Sequence, residues 1–344
     1  MAKLRFTVFS DFHYQNEMNG VKVEDLEKIL ERAKKTNSDF VIHCGDFCQA
    51  GIESNQIFKA YLENKQGLKV YGVYGNHELE GSSMPFTTPR LTNDREVIWG
   101  TEDGKIGNGY IGHYYFDIKG YRIVCTNTNY SYNEAEDIWE HNKRFSWGPP
   151  TENVLYNALS PKQLEWLEDV LNDAADKDLK CIIFSHSTFS PLWRSDCSDA
   201  EEVRDIFARV NAKKHKTVIA ALNGHYHTNH MGMVDGIFYF DVNSNRGHWQ
   251  PNKIRHLDES HTFEYTEYNC FGEKVRSYKK KYLDYYMADN SWFFADNDLS
   301  AVVTIDGDEI TVDGFESEWY EGIVPEKAIE GTEPRISSGT FKIG

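Results

Sequence analysis

Five short blocks of this chain carry residue types that bind metals: Ser10-Asp11-Phe12-His13, Gly45-Asp46-Phe47-Cys48, Gly75-Asn76-His77-Glu78, Phe184-Ser185-His186-Ser187 and Gly224-His225-Tyr226-His227. Asp11 and His13 offer one hard oxygen and one imidazole nitrogen. Asp46 is a carboxylate able to bridge two ions, and Asn76 adds a neutral amide oxygen, a weak ligand that needs stronger company. His186, His225 and His227 bring three more nitrogens. A mixed nitrogen and oxygen set without thiolate suits Mn²⁺, Fe²⁺ or Zn²⁺ better than Ca²⁺ or a structural zinc site built on cysteines. Two such ions, about 3.5–4 Å apart, clamp the attacking and leaving oxygens of an in-line displacement, and water shared between them loses a proton near neutral pH. The chemistry implied is hydrolysis of a phosphate ester by attack of a metal-bridging hydroxide.

Singly, each block has a plainer explanation, such as a Gly-Asp turn after a strand. What gives the set its meaning is where the elements put it. An apolar run at residues 4–10 is followed by a helical pattern at 23–35, with Leu26, Ile29, Leu30 and Ala33 on one face. Then come a strand at 40–44, in which His43 reads as a core histidine, a helical stretch near 57–62 and a strand at 68–74. Alternating strand and helix implies parallel pairing with right-handed crossovers. Ligands of such sheets bind beyond the carboxyl ends of the strands, and Asp11, Asp46 and Asn76 each follow a strand directly.

Residues 78–109 break the rhythm and read as a loop insertion. A hairpin turning at Lys119-Gly120 joins 110–118 to 121–127, and residues 129–157 read as a second, irregular insertion rich in aromatics (Trp139, Phe145, Trp147). Ser160-Pro161 is a helix start, with Leu164, Leu167 and Leu171 on one face. Strands at 180–184 and 217–222 flank a helix at 199–210, and Asp235-Gly236 turns another hairpin. These elements are expected to form one catalytic core, residues 1–247. After it the texture becomes polar and irregular, so residues 248–344 are expected to be a C-terminal extension packed on the core, including a hairpin at 300–315.

Composition excludes several classes of function. A net charge of −17 argues against duplex nucleic acid as a partner, because such binding rests on clustered Lys and Arg, and Lys279-Lys280-Lys281 is too short to change that. An anionic substrate stays open, since bound metal sets the local charge. No apolar run approaches the roughly 20 residues that span a bilayer, and the start of the chain has no apolar signal core, so no membrane association and a cytoplasmic location are expected. The six cysteines form no CxxC pair; Cys44, Cys125 and Cys181 read as buried thiols, and Cys48 lies beside a proposed ligand.

The ordered set resembles the calcineurin-like metallophosphoesterase superfamily, whose pattern is D-x-H, G-D, G-N-H-[DE], H and G-H-x-H; the resemblance covers residues 4–244. It implies an α/β fold, a sandwich of two mixed β-sheets flanked by helices, and two divalent metal ions. One ion is expected to take Asp11, His13, Asp46 and His227, the other Asp46, Asn76, His186 and His225. His77 is expected to be the catalytic histidine, stabilising charge or protonating the leaving group. Purple acid phosphatases carry a tyrosine ligand where this chain has Gln49. The protein Ser/Thr phosphatases have a second aspartate that is missing from Gly45-Asp46-Phe47-Cys48-Gln49-Ala50-Gly51. Tyr14, Asn245 and Arg246 are the candidates for substrate contact, with Phe145 and Trp147 able to stack on a base or sugar. The expected activity is metal-dependent hydrolysis of a small phosphorylated substrate, a monoester or a diester. The alternatives are a nuclease of the same superfamily and a catalytically inactive metal-binding scaffold.

Overall fold

Two mixed sheets face each other across a shared apolar core, and the alternation along single strands shows how. The computed structural model describes residues 1–13, 23–47, 68–77, 98–99, 112–133, 138–141, 154–193, 197–250, 262–268, 274–281, 291–322, 324–325 and 329–344. Strand β1 (Leu4–Phe9) sends Leu4, Phe6 and Val8 into the central core and Phe9 to the opposite face, where helix α1 (Val23–Lys35) covers it with Leu26, Ile29, Leu30 and Ala33. Parallel to β1 run β2 (Phe40–His43) and then β3 (Val70–Gly72). On its other side β1 pairs antiparallel with β18 (Ala301–Asp306), which continues through β19 (Glu309–Gly314) to β20 (Gly339–Lys342). The first sheet therefore has the order β20-β19-β18-β1-β2-β3.

The second sheet is built from β4 (Ile98–Trp99), β5 (Tyr114–Ile118), β6 (Tyr121–Cys125), β10 (Lys180–Phe184), β11 (Val218–Asn223), β12 (His230–Val234) and β13 (Ile237–Asp241), in the order β12-β13-β11-β10-β6-β5-β4. Strands β6, β10, β11 and β13 are parallel neighbours. Ile182 and Phe184 of β10 enter the central core, while Cys181 and Ile183 face helices α2 (Pro161–Asp176) and α3 (Ala200–Lys213), with Leu167, Leu171, Val203 and Phe207. Parallel strands covered on both faces in this way read as continuous apolar runs, which is why they were legible. Phe6 joins the two sheets, stacked on Phe40 at 5.1 Å and edge-on to Phe184 at 5.7 Å. Helix α2 begins as its sequence dictates: the Ser160 side chain accepts from Gln163 N at 3.2 Å, and Pro161 occupies the first turn.

Two expectations change. Residues 129–157 are not simply irregular: β7 (Tyr130–Asn133), β8 (Ile138–His141) and β9 (Val154–Ala158) form a small antiparallel sheet, its strands too short for their alternation to stand out. The hairpin expected at 300–315 is β18–β19, and with β20 it supplies half the strands of the first sheet, so that sheet runs across residue 247. Two antiparallel ribbons also lie beyond that point, β14 (Gly247–Gln250) with β17 (Ser291–Phe294) and β15 (Thr262–Tyr268) with β16 (Lys274–Lys281). The helix expected near 57–62 lies outside the described residues, as does most of the 78–109 insertion. At the carboxyl edge the two sheets are stitched together by a parallel bridge between Ser10 and Ser244 and by Asn245 N donating to Ser10 O at 2.8 Å.

Candidate metal centre

All seven expected metal donors and His77 lie at that carboxyl edge. Asp11 and His13 follow β1, Asp46 follows β2, Asn76 and His77 follow β3, His186 follows β10, and His225 and His227 follow β11. The loops are bonded directly to one another: Asp11 N donates to Gly45 O at 3.1 Å and His13 N to Asp46 O at 2.9 Å. Asp11, His13, Asp46, His225 and His227 all adopt left-handed backbone, with φ between 48° and 74°. Such conformations cost roughly 1–3 kcal/mol each in a non-glycine residue and persist where the surroundings dictate them. Glycines make the close approach possible. A side chain at Gly224 would strike Ser10 Oγ at 1.8 Å, and one at Gly75 would strike Asp46 Oδ1 at 2.1 Å.

The donor atoms form overlapping groups, Asp11 with His13 and His227, His13 with Asp46 and His77, and Asp46 with His186 and His225, each within 4.8 Å. His186 Nδ1 lies 2.7 Å from Cys44 O and His227 Nδ1 lies 2.6 Å from Gly247 O, so each donates its Nδ1 proton to a carbonyl and turns Nε2 toward the other donors. His186 Nε2 then sits 3.1 Å from Asp46 Oδ2, 3.0 Å from Asn76 Oδ1 and 3.1 Å from His225 Nδ1. His227 Nε2 sits 3.3 Å from Asp11 Oδ1 and 3.1 Å from His13 Nε2. Carboxylate, amide and imidazole donors crowded at such distances repel unless a proton or a metal ion lies among them, so the donor set fits divalent cations.

The electrostatics of the donors agree. Burial opposes charge on Asp11, but His227 outweighs it and holds the carboxyl down at about 2. Burial likewise opposes charge on Asp46, and His186, His77 and His13 outweigh it, holding it well below the usual range. His13 is pushed down to about 3 by burial and by His77, which leaves a neutral imidazole. For His186, burial is overcome by Asp46 and Asp11, and its pKa rises to about 10; the pocket draws a positive charge onto itself. Each carboxylate is also oriented by backbone, with His225 N donating to Asp11 Oδ2 at 3.0 Å and His77 N to Asp46 Oδ1 at 2.8 Å. The His77 ring stands edge-on to His13 at 4.8 Å, with Nε2 3.9 Å from Asp46 Oδ2.

The three candidates for substrate contact fare differently. Asn245 and Arg246 are held by neighbouring groups: Asn245 Nδ2 donates to Leu299 O at 2.9 Å, while Arg246 donates to Ala295 O, just past β17, at 3.2 Å and pairs with Asp25 of α1 at 3.2 Å. They follow β13 in a buried segment, where polar side chains must satisfy neighbouring backbone. Tyr14 lies outside the described residues, as do Phe145 and Trp147. His43 is a buried core imidazole, pushed down to about 3 by burial and by His186.

One supporting segment escaped the sequence reading. Thr126, Asn127, Thr128 and Asn129 are buried beyond β6 and hold the neighbouring loops. Asn129 donates to Tyr74 O at 2.9 Å, just before Asn76, and Ser187 N donates to Thr128 Oγ1 at 3.1 Å, just after His186. A Thr-Asn-Thr-Asn run directly after an apolar strand was the available signal.

Known proteins supply the context. A family model described as calcineurin-like phosphoesterase matches residues 4–229. A manganese-dependent ADP-ribose/CDP-alcohol diphosphatase from Xenopus laevis is 23% identical over 259 residues, 65% of this chain and 71% of the relative. Its namesake from Xenopus tropicalis is 25% identical over 249 residues, 62% of this chain and 71% of the relative. Among solved structures, a dimetal phosphatase from Danio rerio superposes with a TM-score of 0.57 at 16% identity, covering 99% of each chain, which shows a shared fold. With the motif blocks gathered at one sheet edge and the family model spanning most of the chain, this protein belongs to the calcineurin-like phosphoesterase family.

Proposed function

We propose that this chain is a manganese-dependent, two-metal hydrolase that splits the phosphoanhydride of small nucleotide-linked diphosphates. The observation that supports the reading is the convergence of Asp11, His13, Asp46, His186, His225 and His227 into overlapping groups of donor atoms within 4.8 Å, with Asn76 Oδ1 3.0 Å from His186 Nε2. Asp11, His13, Asp46 and His227 would hold one ion, and Asp46, Asn76, His186 and His225 the other. When bound, such ions supply Lewis-acid activation of water and neutralise charge on the phosphate. The chain's own residues do the rest. Carbonyls of Cys44 and Gly247 fix the orientation of His186 and His227, and backbone N–H groups aim the carboxylates of Asp46 and Asp11. His77, beside Asp46 and against His13, donates a hydrogen bond to a phosphate oxygen and a proton to the leaving oxygen. The substrate class follows the diphosphatase relatives. A diphosphate leaves as two monophosphates, so ADP-ribose and water give AMP and ribose 5-phosphate.

The test is a panel of ADP-ribose, a CDP-alcohol, p-nitrophenyl phosphate and its bis-ester, each with Mn²⁺ and with EDTA. Mn²⁺-dependent release of AMP or CMP supports the reading. Turnover of the monoester alone would overturn the substrate class, and no turnover of any substrate with Mn²⁺ would overturn manganese-dependent catalysis itself.

A further inference from the structure

Beside the metal donors lies a buried polar row that the chemistry above does not use. On adjacent strands β12, β13 and β11, His230 is opposite Asp241 and Asp241 is opposite Asn223. Thr188, from the loop after β10, lies over the row. Its Oγ1 is 2.8 Å from Asp241 Oδ1 and 3.0 Å from Asn223 Oδ1, and it accepts the Ser190 N–H at 2.9 Å. Thr188, Asn223 and Asp241 are all at most 2% exposed. Asp241 Oδ2 has no hydrogen-bond partner among the described residues and stands 3.9 Å from His230 Nδ1. A half-satisfied buried carboxyl is expensive, and an apolar side chain would fill the position at lower cost.

The geometry points to a reason. Thr188 lies two residues after His186, and Asn223 two residues before His225, where its amide donates to Gly224 O at 3.2 Å. One bridge thus joins the loops that carry two imidazoles whose nitrogens are 3.1 Å apart. We propose that Asp241 is a positioning residue which, through Thr188 and Asn223, sets the affinity of the single ion shared by His186 and His225. The inference rests on the ligand assignment proposed above. Thr188 has one hydroxyl proton and two oxygens to serve. Burial pushes the Asp241 pKa up, which favours a carboxylic acid. As the acid, Asp241 would donate to Thr188 and free the Thr188 proton for Asn223, so that no pair of acceptors is left facing each other.

The experiment is Mn²⁺ titration calorimetry on metal-stripped protein, with thermal melts to confirm folding. Asp241→Ala should weaken one of the two ions by about 10- to 100-fold, the usual effect of losing a ligand's outer support, and leave the other unchanged. Thr188→Val should do the same whether or not Asp241→Ala folds, and the double variant should be no worse than the weaker single. Asp241→Asn, whose amide N–H can replace the acid proton, should restore binding to near wild type. His186→Ala is the reference and should lose the same ion. If His186→Ala loses that ion while Asp241→Ala and Thr188→Val bind as wild type, or weaken both ions alike, the positioning role is wrong. If the wild type binds fewer than two ions, or His186→Ala binds as wild type, the metal assignment itself is wrong.

Discussion

Gly75→Ala places one methyl group against the carboxylate that both proposed ions share. Gly75 has no left-handed φ, so the effect is steric and not conformational. The added Cβ would lie 2.1 Å from Asp46 Oδ1, 2.3 Å from Asp46 N and 2.7 Å from Asp46 Cγ. Against an ordinary contact of 3.4 Å the shortfall at Oδ1 is ~1.3 Å, and the clash with backbone nitrogen means that a side-chain rotation alone cannot relieve it. Functional constellations tolerate displacements of about 0.5 Å, and a misplacement near 1 Å can cost about 10²-fold in rate. That is roughly 2.7 kcal/mol of transition-state stabilisation, taking about 1.36 kcal/mol per factor of ten. Because Asp46 also takes the His77 N–H at 2.8 Å, the same shift disturbs the loop that carries His77. Gly75→Ala should therefore weaken both Mn²⁺ ions together and lower kcat/KM for ADP-ribose at least 10²-fold, with a melting temperature close to that of the metal-stripped wild type. Calorimetry and a coupled AMP assay measure both quantities. Two ions at wild-type affinity with a rate within a few-fold of wild type would refute the reasoning.

Three further outcomes follow from the geometry. His77→Ala should keep both ions and lose about 10²- to 10⁴-fold in turnover; a normal rate, with metal content checked by elemental analysis, would remove its role. Arg122 is 1% exposed and donates to both oxygens of Asp117, to Asp173 and to Val170 O at 2.9 Å. Arg122→Met strands that carbonyl while the half-exposed carboxylates rehydrate, so urea unfolding should show a loss of about 2 kcal/mol with unchanged activity at 25 °C. Burial pushes the Asp199 carboxyl up to about 6, only partly offset by the Cys197 thiol and Leu159 N–H. A carboxyl raised in the folded state contributes stability fully below its unfolded pKa of about 4, and that contribution is lost as pH rises toward 6. Asp199→Asn should therefore gain on wild type between those values and hold level above them; a pH-independent difference in unfolding free energy would contradict this.

The site was legible because its chemistry is written in local blocks and its placement in a simple rule. Asp11, Asp46, Asn76, His186 and His225 each follow an apolar run, and parallel strands bring such ends together whatever their separation in sequence. The cap at Ser160 and the turns at Lys119-Gly120 and Asp235-Gly236 were legible for the same reason, since each is decided within a few residues. Pairings settled by distant surfaces were not. Nothing within residues 301–306 says that they lie beside residues 4–8, and only the burial of Val303 and Ile305 against the second sheet fixes that choice. Arg246 shows the same limit: nothing near it in sequence says that its partner, Asp25, lies 221 positions away.

The place of β1 between β2 and β18 also sets the order in which the molecule is assembled. Its parallel neighbour ends at residue 43, but its antiparallel neighbour begins at residue 301. At synthesis rates of about 5–20 residues per second, roughly 13–52 s separate the emergence of the two. Throughout that interval β1 has an open edge, and the Asp11–His13 loop at its end lacks half of its foundation. The centre is thus finished late, by long-range pairing of the kind that slows folding. A ribosome that stalls before residue 301 leaves a chain that carries every proposed metal donor and no completed sheet to hold them.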